Sequence, residues 1–367
     1  MTAGPDCIVV SRGPGETSVA LLVGERLIEI VHLRDAEVQP GALYIGRVGE
    51  RVPGSNDVFV DIGIPPYGVM DTKGARLNSG QSVAVEVRTP ARADKGPKLA
   101  RSSVRIPVDR QVPSLLKPAA DTVVEWFDRY GDAIQEIIAE PRSEAIRITR
   151  LLSNDPRVTP YQGAGSAFDE IDEQIEQALH SVVPLPGGGQ LIIEQTAALV
   201  SIDIDAGSSS IEVANTQAMV EIARQIRLRN LAGHIVIDLI ASRARQKFVK
   251  ALKDACAADP VQTDVMGLTP SGMIDVVRRR ARPSLTEILY DPALPMLSIE
   301  TVAYRALRRV CRDMAVRRMA RATLNLTPAV ATLLNERLRP ALDEARTMGE
   351  IAIVPRADFP RERIEVA

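Results

Sequence analysis

The chain has 367 residues, of which 45% are hydrophobic and 25% are charged, and its formal net charge is −2 at pH 7. This composition is that of a globular protein long enough for two or three domains. No apolar run approaches the ~20 residues needed to cross a bilayer and the first residues lack a signal-peptide pattern, so we expect a cytoplasmic protein. The net charge argues against a uniformly basic nucleic-acid binder, but a local basic groove is compatible with it.

The cysteines and histidines do not form a metal-binding pattern. Cys7, Cys256 and Cys311 are odd in number and far apart, and no two of them have metal-ligand spacing. The three histidines are equally scattered. We therefore expect buried or free thiols, no structural zinc and no histidine-based catalytic site.

The first part of the chain predicts short strands. Apolar or alternating runs at Cys7 to Val10, Val19 to Leu22 and Leu27 to Val31 are separated by glycine-containing turns. From about Gly41, four or five further short runs follow at close spacing, and prolines and glycines punctuate them. That spacing predicts a small closed β-barrel.

Beyond Pro90 the chain becomes polar and basic, and predicted helices follow. Val123 to Ile138 has helical periodicity, with apolar or aromatic residues at four-residue steps. Phe168 to Leu179 predicts a second amphipathic helix, and Pro184 to Gly189 predicts a sharp turn.

Strands and helices alternate after this turn. We expect two strands, Leu191 to Glu194 and Ala197 to Asp203, and then a helix over Thr216 to Leu231 that begins at Asn215. The continuous apolar run Ile235 to Ile237 is typical of a strand buried on both faces. The remaining predicted elements are a helix over about Ala244 to Ala257, helices from Val302 onward and a strand at Ile351 to Val354.

Three aspartates lie at the ends of the predicted strands. Asp203 and Asp205 belong to the run LVSIDID, and Asp238 ends the run IVID. Because the carboxyl ends of adjacent core strands meet at one edge of a sheet, we expect these side chains to converge. Close carboxylates repel one another unless a hard cation such as Mg²⁺ or Mn²⁺ lies between them, and such an ion can promote phosphodiester hydrolysis. The alternative is that Asp203 and Asp238 cap neighbouring helices.

Basic and aromatic residues are candidate contacts for a polyanion. The arginine cluster follows an apolar stretch and could bind phosphates, or it could be a solvated helix face. Phe59 and Tyr67 could stack on unpaired bases, although Phe59 could instead belong to the barrel core. Lys95 and Lys98 could follow the nucleic-acid backbone. The arginine cluster consists of Arg278, Arg279, Arg280 and Arg282.

Several runs together resemble the ribonuclease E/G family. LVSIDIDAG, NTQAMVEIARQIRLRNLAGHIVIDLI and MIDVVRRRARPSL are similar, in order and spacing, to the catalytic part of that family. ALYIGRVGERVPGSNDVFVDIG is similar to its S1 RNA-binding domain, and DEIDEQIEQALHSVVPLPGGGQLIIEQT to the segment that leads into the catalytic sheet. The resemblance spans most of the chain.

The resemblance implies an α/β multidomain fold, in which a DNase I-like catalytic lobe accompanies an RNase H-like lobe that is split around an inserted S1/OB β-barrel. The implied bounds are 1–36 and 107–190 for the two parts of the RNase H-like lobe, 37–106 for the barrel, 191–290 for the catalytic lobe and 291–367 for a C-terminal small domain.

The resemblance also implies a function, namely hydrolysis of single-stranded RNA to 5′-phosphate and 3′-hydroxyl ends in RNA processing or decay. Asp203 and Asp238 match the family's two metal-binding aspartates, so the implied cofactor is Mg²⁺, with Mn²⁺ as an alternative. Asp205 stands where an asparagine usually helps to position the scissile phosphate. Phe59 matches an S1 aromatic residue, and Lys95 matches a lysine that follows the barrel.

The chain departs from the family pattern in several places. Asp205 adds a negative charge where a neutral amide is usual, Ala241 replaces an aspartate, and Val69 replaces a second S1 aromatic residue. The interval from Lys98 to Val123 is too short for a 5′-sensor domain, so we expect the preference for 5′-monophosphorylated ends to be absent or reduced. Because the interval from Glu287 to Glu300 contains no cysteine, a homodimer of this chain would not be bridged by zinc.

The sequence leaves three functions open. The retained aspartates and arginines favour an active endoribonuclease that acts on single-stranded RNA and does not bind a membrane. The changes at Asp205 and Ala241 motivate an alternative, a non-catalytic RNA-binding protein on the same scaffold. A DNase or other phosphodiesterase is the third, because hydrolysis at a metal centre does not require the 2′-hydroxyl.

Overall fold

The computed structural model describes residues 4–91, 95–107, 109–163 and 165–367, and its backbone contacts divide the chain into two compact units. The first unit comprises the described parts of Met1–Arg12, Ser18–His32 and Asp132–Val302. The second comprises those of Gly13–Thr17, Leu33–Gly131 and Ala303–Ala367. Each unit is therefore assembled from stretches that are distant in sequence.

Strands and helices follow one another along the described residues. In chain order the strands are β1 (Cys7–Gly13), β2 (Glu16–Val23), β3 (Arg26–Arg34), β4 (Leu43–Arg51), β5 (Asp57–Asp61), β6 (Gly68–Asp71), β7 (Ser82–Thr89), β8 (Lys98–Arg101), β9 (Ser114–Lys117), β10 (Glu136–Glu140), β11 (Val158–Pro160), β12 (Val182–Pro184), β13 (Gln190–Gln195), β14 (Val200–Asp205), β15 (Gly233–Asp238), β16 (Thr263–Leu268), β17 (Ile274–Arg278), β18 (Arg321–Leu326), β19 (Glu350–Pro355) and β20 (Glu365–Val366). The α-helices are α1 (Thr122–Tyr130), α2 (Arg142–Leu151), α3 (Asp169–Leu179), α4 (Ile211–Leu228), α5 (Arg245–Cys256), α6 (Leu285–Leu289), α7 (Ile299–Arg317), α8 (Pro328–Asn335) and α9 (Arg339–Ala345).

The second unit contains a closed five-stranded barrel. Its strands run in the order β4-β5-β6-β8-β7 and return to β4, and β9 pairs with the first half of β4. Alternate side chains, among them Val58, Val60 and Val85, fill the interior. Gly46 is required by this packing, because a Cβ there would lie 2.9 Å from the carbonyl oxygen of Asp61. The barrel predicted from strand spacing is confirmed, and it is consistent with an S1/OB-like domain.

A five-stranded sheet contains strands from both sides of the barrel in sequence. Its order is β11-β10-β1-β2-β3, and β10 runs parallel to both β1 and β11. The predicted helix from Val123 to Ile138 was therefore wrong in its second half. Helix α1 ends at Tyr130, Gly131 follows as its C-cap, and Ile138 lies in β10. Pairing with β1 decides the structure of this segment, which helical periodicity alone could not reveal.

The largest part of the first unit is a six-stranded sheet in the order β12-β13-β14-β15-β17-β16. Helices α4 and α5 pack on one of its faces, where Met219 and Phe248 join a core with strand residues such as Ile202 and Ile235. The prediction that β15 is buried on both faces was wrong. Its buried residues alternate with exposed or half-buried ones, because only one face is covered by these helices.

Helix α4 begins earlier than its sequence suggested. Ser210 is its N-cap and accepts a hydrogen bond from the backbone N–H of Val213, so the predicted start at Asn215 was wrong. Asn215 is instead fully buried inside the helix, where its Nδ2 donates to the carbonyl oxygen of Ile240 at 3.0 Å. A tertiary contact therefore accounts for an asparagine that resembled a helix cap.

The C-terminal part forms a small α/β layer in the second unit. Strand β18 pairs in parallel with β19 and antiparallel with β20. The predicted helices from Val302 and the strand at Ile351 to Val354 are confirmed, whereas β18 was not predicted. Among the described residues, no helix combines the length and the apolar character that a membrane span requires.

The cysteines are free thiols, as expected. Burial, together with a smaller contribution from the nearby Asp259, raises the pKa of Cys256 to about 12. Burial likewise raises the pKa of Cys7 and of Cys311 to about 11. Because the thiolate is the reactive and metal-binding form, these side chains are structural at neutral pH.

Candidate functional site

The two central aspartates lie directly beside each other in the six-stranded sheet. Strands β14 and β15 are parallel neighbours, and their register pairs Asp203 with Asp238. Both side chains are exposed, while Ile202 and Ile237 next to them in the chain are buried. Since neighbouring strands are about 4.8 Å apart, two side chains on the same face at paired positions can share one ion. The register therefore places Asp203 and Asp238 at adjacent positions, as the sequence predicted.

Among the described residues, no positive side chain forms an ion pair with either aspartate. The carboxylates of Asp203 and Asp238 also have no hydrogen-bond partner in this part of the chain, so the helix-cap alternative has no support in the contacts. Within the same residues, no cluster of three or more histidine, cysteine or acidic side chains is arranged to hold a metal. Two carboxylates nevertheless suit Mg²⁺, which proteins commonly bind through one or two carboxylates together with water and substrate phosphates.

Asp205 lies on the same face but has partners of its own. It ends β14, and its carboxylate accepts hydrogen bonds from the backbone N–H of Gly207 at 2.9 Å and from Nε2 of Gln190 at 3.2 Å. These contacts shape the loop that leads from β14 to α4. Asp205 therefore holds this loop in addition to placing a third negative charge near the pair.

The arginine cluster lies at the opposite end of the sheet. Strand β17 is antiparallel to β15, and its last residue, Arg278, pairs with Gly233, the first residue of β15. Asp238 is the last residue of β15, so roughly 17 Å of strand separates the cluster from the aspartate pair. The cluster therefore lies away from the two aspartates, at the other end of β15.

Arg278 was predicted to bind phosphate, and its surroundings contradict that role. Its side chain is 2% exposed, and Nε donates to the Asp259 carboxylate at 2.7 Å. Nη1 donates to Oδ1 of Asn230 at 2.7 Å and to the carbonyl oxygen of Leu231 at 2.9 Å. Arg278 is a structural residue because burial and these partners occupy its guanidinium.

The other three arginines of the cluster differ in availability. Arg280 forms an ion pair with Glu287 at 3.1 Å, and Arg282 is half-buried. The side chain of Arg279 is exposed and has no hydrogen-bond or ion-pair partner in the described part of the chain. Within this cluster, Arg279 is the residue most accessible to a polyanion.

Three strands of the barrel present a continuous row of side chains. Phe59 in β5 pairs with Val69 in β6, and Val69 pairs with Lys98 in β8. Val58 and Val60 are buried, whereas Phe59 is half-buried on the outer face of the barrel. This burial pattern does not support the alternative that Phe59 belongs to the barrel core. In this row, Phe59 lies on one side of Val69 and Lys98 lies on the other.

Tyr67 and Lys95 lie close to this row. The side chain of Tyr67 is exposed, and Tyr67 directly precedes the first residue of β6. Gly96 packs against the backbone of Tyr67, since a Cβ on Gly96 would lie 2.7 Å from its carbonyl carbon. Lys95, which precedes Gly96, is exposed. The structure thus brings together the four barrel residues singled out in the sequence.

Asn215, which the sequence predicted as the start of a helix, has a different role near the aspartate pair. Its hydrogen bond to Ile240 reaches the loop that leaves β15 two residues after Asp238. Asn215 therefore fixes this loop relative to α4. In the sequence, Asn215 is a polar residue that falls on the apolar face of the helix, four residues before Met219. A buried position for its side chain is consistent with that pattern.

Comparisons with known proteins point to one family. A family model described as the Ribonuclease E/G family matches residues 99–281, which include both aspartates. Ribonuclease G of Salmonella typhimurium (strain SL1344) is 25% identical over 458 aligned residues, covering 92% of this chain and 94% of that protein. Ribonuclease G of Escherichia coli (strain K12) is 31% identical over 212 residues, covering 53% of this chain and 42% of that protein.

A plant protein is similar as well. The chloroplastic ribonuclease E/G-like protein of Arabidopsis thaliana is 31% identical over 235 residues, covering 57% of this chain and 24% of that protein. The chain thus spans nearly all of the Salmonella protein but less than half of the Escherichia and Arabidopsis proteins. The Salmonella alignment is longer than the 367 residues of this chain, so that protein carries residues that this chain lacks.

We predict that Arg278→Met lowers the free energy of unfolding by about 3–5 kcal/mol, because it leaves the buried Asp259 carboxylate unpaired. Arg279→Met, one residue further along the chain, should change it by less than about 0.5 kcal/mol. Urea unfolding of both variants measures the difference. A fully stable Arg278→Met protein with weakened RNA binding would instead restore the phosphate-binding role.

Proposed function

The chain belongs to the ribonuclease E/G family, and from this premise we propose that it is a metal-dependent endoribonuclease. The proposed reaction is hydrolysis of single-stranded RNA to 5′-phosphate and 3′-hydroxyl ends in RNA processing or decay. The observation that carries the proposal is the pairing of Asp203 with Asp238 on one exposed face, where neither carboxylate forms an ion pair with a side chain of the described residues. Such a site suits a divalent metal and a phosphodiester substrate.

Asp203 and Asp238 are the proposed metal ligands, and Mg²⁺ is the proposed ion, with Mn²⁺ as the alternative. When bound, the ion would activate water and neutralise charge on the phosphoryl oxygens. Asp205 is proposed to orient the substrate by holding the β14–α4 loop through its bonds to Gly207 and Gln190. Its own negative charge makes it a less favourable phosphate contact than a neutral amide.

The barrel is the proposed recognition surface for unpaired RNA. Phe59 and Tyr67 supply rings for base stacking, and Lys95 and Lys98 supply cations for the backbone. Outside the barrel, Arg279 is a proposed contact with RNA at a distance from the scissile bond. Stacking on exposed rings requires bases that are not paired, which supports a single-stranded substrate.

We also propose the lobe organisation that the family resemblance implies. The sheet of β1–β3 with β10 and β11 is the proposed RNase H-like lobe, and the barrel interrupts it in sequence. The sheet of β12–β17 with α4 and α5 is the proposed DNase I-like lobe. Between β8 and α1 the described residues form only the short strand β9, which supports an enzyme without a 5′-sensor.

Replacement of Asp203 or Asp238 by asparagine should abolish cleavage by orders of magnitude, because each change removes a negative charge from the metal pair. Gel analysis of a short unstructured RNA with Mg²⁺ measures cleavage, and a Mg²⁺-dependent rise in melting temperature should be lost in both variants. Asp264→Asn, a change to an exposed acid on edge strand β16, is the matched control. Undiminished cleavage by both variants would remove the assignment.

The same assay separates the enzyme from a non-catalytic RNA-binding protein. The alternative predicts salt-dependent RNA binding by the unmodified protein but no fragments with Mg²⁺ or Mn²⁺. Matched RNA and DNA oligomers then test the substrate class. We expect cleavage of the RNA at a rate at least tenfold higher than that of the DNA, and equal rates would instead indicate a general phosphodiesterase.

Phe59→Ala and Tyr67→Ala should each weaken RNA binding by about 1–3 kcal/mol, which is the usual contribution of one base-stacking contact. Val69→Phe should strengthen binding several-fold, because it adds a ring between Phe59 and Lys98. Fluorescence anisotropy with a labelled single-stranded RNA, in the Asp203→Asn background, measures binding without cleavage. Unchanged affinity in all three variants would show that this face of the barrel does not contact RNA.

A further inference from the structure

A phosphodiester that lies beside two carboxylates is bound more favourably when a cation of the protein is near it. The arginine cluster at residues 278–282 does not supply one, because it lies at the other end of β15. The carboxyl end of the six-stranded sheet has a basic side chain of its own. Arg245, the first residue of α5, lies at that end.

The position of Arg245 follows from its contact with Gly272. Gly272 lies in the turn between β16 and β17, which is closed by a hydrogen bond from the N–H of Gly272 to the carbonyl oxygen of Thr269 at 2.9 Å. Ile274, two residues later, pairs with Ile237, the neighbour of Asp238. The turn therefore lies at the Asp238 end of the sheet.

The guanidinium of Arg245 rests on this turn in a space that only glycine leaves open. A Cβ on Gly272 would lie 3.1 Å from Cζ of Arg245 and even closer to Nη1. Gly272 also has a φ of +92°, a conformation that other residues rarely adopt. The conformation of the turn therefore favours glycine here, and a larger residue would also displace the guanidinium of Arg245 from its position.

Within the part of the chain that the structure describes, Arg245 has no partner that would explain a structural role. None of its side-chain nitrogens has a hydrogen-bond or ion-pair partner among the described residues, and its Nε is buried. Lys247, two residues later, does form an ion pair with Glu212 at 3.3 Å. A cation at the first residue of a helix is also disfavoured by the helix dipole. Neither an ion pair nor helix stability accounts for Arg245.

The connection between Asp238 and Arg245 is short and anchored. Six residues, 239–244, join them, and Asn215 holds this loop through Ile240. The buried amide thus restricts the loop that links a metal-site carboxylate to the arginine. This restriction favours a fixed position for both groups.

We propose that Arg245 binds a phosphate of the RNA substrate at the carboxyl end of the six-stranded sheet, next to the Asp203–Asp238 pair, and that Gly272 provides the space for its guanidinium. This inference rests on the proposed function and identifies the cation that the arginine cluster does not provide. A planar guanidinium with free donors suits a phosphate, which it can bind with two parallel hydrogen bonds.

Arg245→Gln tests the proposal by removing the charge while keeping much of the side chain. We expect a ten- to hundredfold loss in kcat/KM on a short single-stranded RNA. In the Asp203→Asn background, the slope of log Kd against log salt should fall by about one, because one phosphate contact is lost. Arg245→Lys should recover part of the loss, since it keeps the charge but not the two parallel bonds.

Arg150→Gln, a change to an exposed arginine on α2 of the same unit, is the matched control and should leave both quantities unchanged. Gly272→Ala should lower kcat/KM and the salt slope as Arg245→Gln does, because the added Cβ displaces the guanidinium of Arg245. Melting curves verify that each variant is folded. If the unmodified protein cleaves RNA but Arg245→Gln leaves kcat/KM and the salt slope unchanged, the inference about Arg245 is overturned. The proposed function would not be affected by that result. Absence of cleavage by the unmodified protein would overturn the proposed function, and the salt slope would still decide whether Arg245 contacts RNA.

Discussion

The pairing of β14 with β15 is the constraint on which the candidate site depends. Burial of Ile202, Ile235 and Ile237 against α4 and α5 fixes which face of each strand points inward. Because side chains alternate along a strand, the same burial forces Asp203 and Asp238 onto the outer face. A slip of one residue would bury a carboxylate and expose an isoleucine, so hydrophobic packing determines the register that brings the two negative charges together.

Arg278 and Arg245 have different roles because their contacts differ. Their positions in the sequence do not reveal this difference. Arg278 is buried with Asp259 and stabilises the fold, whereas Arg245, at the end of the sheet that carries the aspartates, has no side-chain partner among the described residues. A buried ion pair tolerates the loss of neither member, while an unpartnered guanidinium is available to a phosphate. In the proposed site, Arg245 can contact a phosphate because no acidic side chain of the described residues forms an ion pair with it.

The proposed metal site and the proposed base-recognition surface belong to different compact units. The aspartate pair lies in the first unit, and the row of Phe59, Val69 and Lys98 lies on the barrel of the second. Each set is positioned by strand pairing within its own sheet, so each can be perturbed without loss of the other. On the barrel surface, Val69 stands between the aromatic ring of Phe59 and Lys98.

The sequence by itself determined the strands of the barrel, the helices α3 and α5 and the two aspartates at strand ends, because alternation, periodicity and motif spacing are local properties of the chain. Tertiary structure decided the rest. Pairing with β1 turned the residues around Ile138 into a strand, and packing on one face left β15 half-exposed. The antiparallel direction of β17 carried Arg278 away from Asp238 and brought Gly272 close to it. Strand direction and burial arise from contacts between distant residues, so no local pattern could have revealed them.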